Sequence, residues 1–182
     1  MMHLNKKRDT VQTWSMSVSD NRLRNLTEYM TGCVGAFAVR HSLSNSHAYE
    51  YLDRYGAIEF LEKFYDMEHT QSIEDTVNDC IDICKRNGGD LQTGLYQCSN
   101  MAVDFIDQTR HDKEKQICIE LLTADMIQTL IEVDGMTLRE AMDTVYLSDT
   151  FTKIENERTG LYYQSTVYVM EYLYSELKNE KL

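Results

Sequence analysis

Cys80 and Cys84, four positions apart, are the first residues whose spacing suggests chemistry. On a helix they would share one face and could offer two thiolates to a soft metal, with His69 nearby. A structural zinc site wants a second ligand pair, and the sequence holds none. Both cysteines also fall on an apolar stripe, where a free thiol behaves as a small hydrophobe. Core packing is the expectation, and no metal ligand is assigned.

Nucleophiles fare no better. Cys98 and Ser99 follow a Gly94-Leu95-Tyr96 turn, but either would need a positioned base. The histidines at 3, 41, 47, 69 and 111 are scattered and share no recognisable spacing. Glu68-His69 joins two predicted helices and could do acid–base work. It founds a rival reading, a small helical hydrolase or transferase using His69 with neighbouring carboxylates. A histidine in such a joint more often caps a helix end. No glycine-rich phosphate loop, dinucleotide fingerprint or metalloprotease helix occurs. No catalytic residue and no cofactor is therefore expected.

Charge and aromatics point elsewhere. The formal net charge is -12, which argues against a nucleic-acid partner. Between Asn45 and Cys84 stand ten carboxylates, Glu59, Glu62, Asp66 and Glu68 among them, against Arg54 and Lys63 alone. The plain reading is a solvated face; the sharper one is a docking surface for a basic partner. Five of the 12 tyrosines crowd into the last segment, at 162, 163, 168, 172 and 174. Tyr174 falls on an inward stripe, while Tyr168 and Tyr172 share another face. Amphipathic rings beside acidic residues anchor partners well where that face is open.

The elements that hold these residues are predicted to be helices throughout. The chain has no proline, and its composition is globular, with 42% hydrophobic residues. No apolar run is long enough to span a membrane, no secretory leader is recognisable, and the odd cysteine count argues against a disulfide framework. A cytoplasmic location is expected. Leu26, Met30, Cys33, Val34 and Phe37 form one helical stripe, and Ser44 and Ser72 read as caps for later helices. Val77, Cys80, Ile81 and Cys84, with Ile73, form the next stripe, which Asn87-Gly88-Gly89 ends.

An offset of 93 positions lays Ser44 on Thr137, Ala48 on Ala141 and Gln71-Ser72 on Gln164-Ser165. It also carries the stripes across. The expected fold is therefore all-α and compact, two related helical units joined by a central helix. The divisions are an N-terminal mobile arm over 1–22, a first unit over 23–88, a connecting segment over 89–115 and a second unit over 116–182. The central helix is placed at Asn100 to Thr109. Thr166 to Tyr174 is rich in β-branched and aromatic residues, yet the repeat register makes it a helix.

The stretch from Ala48-Tyr49-Glu50-Tyr51-Leu52 through Phe60-Leu61-Glu62-Lys63-Phe64-Tyr65-Asp66-Met67-Glu68-His69-Thr70 to Asn87-Gly88-Gly89 resembles an uncharacterised bacterial family of short helical domains. The likeness covers about two thirds of the chain, with the second unit a more divergent relative. Members of that family are often encoded beside proteins resembling ADP-ribosyltransferases. The resemblance implies a small partner protein, an antitoxin or immunity factor that binds a toxin-like enzyme. The residues expected to meet the partner are Glu59, Glu62, Asp66, Glu68, His69, Tyr163, Tyr168 and Tyr172. A homodimeric scaffold is a further alternative.

Overall fold

The computed structural model describes residues 6–90 and 108–179, with side chains from 21–90 and 113–179. Eight α-helices and no strand occur among the described residues. They are α1 (Lys6–His41), α2 (Asn45–Arg54), α3 (Ala57–Glu68), α4 (Ile73–Arg86), α5 (Gln108–Asp134), α6 (Leu138–Tyr146), α7 (Asp149–Glu155) and α8 (Thr166–Asn179). Two 3-10 turns, Glu157–Thr159 and Leu161–Tyr163, stand between α7 and α8.

Local chemistry sets most of the helix ends. Ser44 Oγ accepts the His47 N–H, Ser72 Oγ the Asp75 N–H and Ser148 Oγ the Phe151 N–H. Each satisfies a donor that the first turn leaves open. Thr137 and Glu140 cap reciprocally, the Glu140 N–H reaching Thr137 Oγ1 and Glu140 Oε2 accepting the Thr137 N–H. At the far end of α4 the Gly89 N–H reaches the Cys84 carbonyl at 2.8 Å and the Gly88 N–H reaches Lys85 at 3.1 Å. Gly88 takes φ 88°, the left-handed turn that this double closure requires and that a side chain resists.

The offset of 93 reappears in the helix ends. It places the last residue of α1, His41, on the last residue of α5, Asp134. It places the first residue of α2 on the first of α6, and both ends of α4 on both ends of α8. The correspondence fails at α3. That helix runs 12 residues, while α7 runs 7 and continues as the two 3-10 turns.

α1 and α5 make the most extensive packing between helices, and α2, α4, α6 and α8 close around them. One apolar cluster fills both sets. Its largest fully buried side chains include Phe37, Leu52, Ile58, Leu61, Met126, Ile127, Leu130, Phe151 and Ile154. Each contributes roughly 1.5–3 kcal/mol of burial. Between the sets, the Tyr49 ring stacks on Tyr146 at 4.5 Å, and its hydroxyl donates to Asp143 at 2.5 Å. Arg139 pairs with Asp53 across the same junction.

Three expectations need correction or bounding. The arm over 1–22 is helical from Lys6 onward, continuous with α1. It carries no apolar stripe to signal this, but neither proline nor glycine interrupts the chain between Lys6 and Thr31. Most of the expected central helix, Asn100 to Thr109, lies outside the described residues, and its last two positions open α5. Ile73, expected to face inward with Val77 and Cys80, is 43% exposed in the first turn of α4. Thr166 to Tyr174 is helical, its inward stripe being Val169, Met170 and Leu173.

Candidate interaction surface

α3 buries Ala57, Ile58, Leu61, Tyr65 and Glu68 and turns its other face outward. Glu59, Glu62 and Asp66, spaced three and four apart, lie together on that face and are exposed. Asp66 is engaged: Arg22 of α1 grips both its oxygens, at 3.0 and 3.1 Å. Beside the acidic stripe Phe60 and Phe64 pack ring to ring at 5.2 Å, with Lys63 Nζ 5.6 Å from the Phe64 ring. Met67 is 64% exposed. The outer face of α3 is thus an acidic ridge with an apolar flank.

Glu68 and His69 part company. Glu68, the last residue of α3, is 4% exposed. Its Oε1 accepts Gln71 Nε2 at 3.3 Å, and its Oε2 is buried without a partner. Burial pushes its carboxyl up from the ordinary value, and Asp79 adds to the shift. His69 is exposed but engaged, its ring stacked 4.5 Å from Tyr65 and its Nδ1 2.5 Å from the Tyr65 carbonyl. It closes the end of α3. The pair does not converge on a common pocket as the acid–base reading needs.

On α8 the two sequence-predicted rings form a unit. Tyr168 and Tyr172 lie edge to face at 5.3 Å, their hydroxyls 2.9 Å apart, and both are at least 40% exposed. The hydrogen bond to Tyr172 raises the Tyr168 hydroxyl above its ordinary value. Tyr163 is 58% exposed with its ring 4.2 Å from the buried Tyr162. At the offset of 93, Tyr168 and Tyr172 stand where α4 carries Asp75 and Asp79. One helix presents carboxylates where its counterpart presents phenols.

Three of the described cysteines are core residues, and Cys118 is half-buried. Cys33, Cys80 and Cys84 are buried, and burial pushes Cys33 and Cys84 up to about 12. No group of three His, Cys, Asp or Glu able to hold a metal occurs among the described residues. Cys98 and Ser99 lie outside them. No described helix is long and apolar enough to cross a membrane.

Sequence reasoning missed one feature. The last turns of α1 and α4 converge on a cleft of about 670 Å³, lined by Arg40, His41, Tyr51, Ile81 and Lys85 among others. Arg40 donates to Asn78 Oδ1 at 2.8 Å, and Lys85 lies 3.9 Å from Asp82. Each basic residue read alone complements the negative end of its own helix. Only the fold brings the two helix ends together.

Geometry and sequence meet in the first four helices. Residues 28–87 match the family described as a protein of unknown function, DUF3791. This is the family of short helical domains that the motifs between Ala48 and Gly89 resemble. The match takes in the C-terminal part of α1, from Glu28, together with α2, α3 and α4, about a third of the chain rather than the two thirds expected. No curated protein and no solved structure matches the chain.

Proposed function

We propose that the chain is a cytosolic protein-interaction module built from two copies of one helical unit, the first of which docks a basic protein through α3. The observation that carries the reading is the α3 ridge. Glu59 and Glu62 project from a helix whose inner face is locked into the core, and the exposed Met67 and partly exposed Phe64 lie beside them. Carboxylates steer a basic partner into encounter, and apolar side chains then hold it. The tyrosine pair of α8 supplies a second, less charged surface.

The finer reading is an antitoxin or immunity-type inhibitor, its target a toxin-like enzyme resembling an ADP-ribosyltransferase. Its support is the family resemblance together with this acidic face. Inhibition would come from occupying the enzyme's basic cleft and needs no catalytic residue on this chain. The test is binding and inhibition of the neighbouring gene product by the purified chain. Wild type should inhibit it with salt-sensitive affinity, and the triple variant Glu59→Lys, Glu62→Lys, Asp66→Lys should lose that inhibition while keeping its helical spectrum. Unchanged inhibition by the triple variant would sink the assignment of the face.

A further inference from the structure

The last turn of α3 has an outer and an inner side. Asp66 and the exposed Met67 belong to the acidic ridge, while Tyr65 and Glu68 are buried. Rings anchor the inner side. Tyr65 meets Tyr29 of α1 edge to face at 5.5 Å, and the Tyr29 hydroxyl lies 3.1 Å from Thr76 Oγ1 of α4.

Glu68 is the weak point of this anchorage. Its Oε2 is buried without a hydrogen-bond partner, and its Oε1 accepts only from Gln71 Nε2. Among the described residues no cation acts on it. From α1 it has Tyr29 and Cys33, and from α4 Cys80 and the like charge of Asp79. His69, next in the chain, is turned onto Tyr65 instead. The helix itself opposes ionisation as well. Glu68 stands at its C-terminal end, where the backbone dipole is negative, and no basic residue occupies that last turn.

A bound proton removes the cost of burial, of Asp79 and of the dipole together. Once ionised, the carboxylate finds relief by turning out to water, and the shortest route unwinds the turn that carries it.

We propose that Glu68 is a proton-operated latch on the α3 ridge: protonated it holds the last turn closed, and ionised it releases that turn with Asp66 and Met67. The folded chain keeps this proton to higher pH than the unfolded chain does. The latch is therefore shut at acid pH and opens as pH rises through the folded value. Its effect on binding rests on the docking role of α3; the latch itself does not.

NMR on the full chain tests it. The Glu68 Cδ resonance should titrate above the ordinary carboxylate range. Over the same pH interval the protection factors of the His69 and Gln71 amides, which close the end of α3 on Tyr65 and Glu68, should fall about fivefold or more. Amides of α5 should keep theirs. Glu68→Gln, a permanent stand-in for the protonated form, should hold high protection at every pH. If that variant fails to fold, Asp79→Asn removes the like charge and should move the Glu68 midpoint and the loss of protection downward together. An ordinary Glu68 midpoint, protection that does not follow it, equal losses throughout the chain, or the same loss in Glu68→Gln overturns the proposal. Exchange reads the latch with no partner present. The triple variant at Glu59, Glu62 and Asp66 reads the ridge at a single pH, so the two failures are separable.

Discussion

The Glu155 carboxylate, at the end of α7, accepts the Asn45 backbone N–H at 2.5 Å and so closes the first turn of α2 from across the molecule. The same oxygen accepts Asn45 Nδ2 at 3.2 Å, and the other accepts Ser46 Oγ at 2.8 Å. Asn45 continues the chain of bonds to Gln116, and Gln116 to Glu120 on α5. One carboxylate thus ties both helical sets together. Glu155→Ala should leave these donors buried and unpaired and cost about 2 kcal/mol, measured by urea unfolding. Glu155→Gln, which keeps an acceptor, should cost clearly less; equal losses would reduce the contact to packing.

Gly35 lies on the face of α1 that packs against α5. A Cβ built there runs into the side-chain ends of Glu120 and Gln116. Both are ends of flexible side chains, which can turn aside by giving up the Gln116–Glu120 hydrogen bond, so Gly35→Ala should destabilise the fold by no more than ~1 kcal/mol, alanine's better helix propensity offsetting part of the loss. Truncating the obstacle should return part of the loss. In a double-mutant cycle, Gln116→Ala and Gly35→Ala together should cost less than the sum of the two alone. Strict additivity would show that the helices have already shifted apart to make room.

Glu68 gives the chain a pH signature. Burial raises its folded-state value above that of the unfolded chain, so the native protein holds this proton to higher pH. The sign is that of an acid with a raised value. Its contribution to stability is intact below the unfolded value and falls as pH rises through the folded one. Glu68→Gln removes the ionisable group while keeping the shape. It should be more stable than wild type at neutral pH, with the advantage shrinking as the pH falls toward the ordinary carboxylate range. Unfolding curves across that range read the difference directly, and an advantage independent of pH would assign the effect to packing.

Glu68 also shows what sequence reading can and cannot reach. It sits at spacings of three and seven from Tyr65 and Leu61, on the inward stripe that begins at Ile58. The periodicity was there, but the surrounding run of carboxylates made an outward side chain the natural expectation. Helix caps at Ser44, Ser72 and Thr137 were legible because capping is a contact across three residues. The register of α8 was legible from its likeness to α4. The helix from Lys6 was not, since nothing apolar repeats along it. The cleft beside His41 depends on two helix ends more than 40 residues apart in sequence meeting in space. No local pattern carries that.

The three buried cysteines of the first helical set offer a final check that also addresses the metal reading. A thiol reacts as its thiolate, and burial raises Cys33 and Cys84 to about 12 and Cys80 further still. At mildly alkaline pH fewer than about one in a thousand of these groups is ionised, and none lies open to solvent. Iodoacetamide should leave all three unlabelled in the folded chain and modify all three once guanidinium unfolds it, read by peptide mass mapping. Prompt native alkylation of Cys80 or Cys84 would show that α4 opens far more readily than its packing against α1 and α3 allows. Protection of the same pair by added zinc in the unfolded chain alone would carry no weight, because two thiols four apart bind metal weakly whenever they are free to meet.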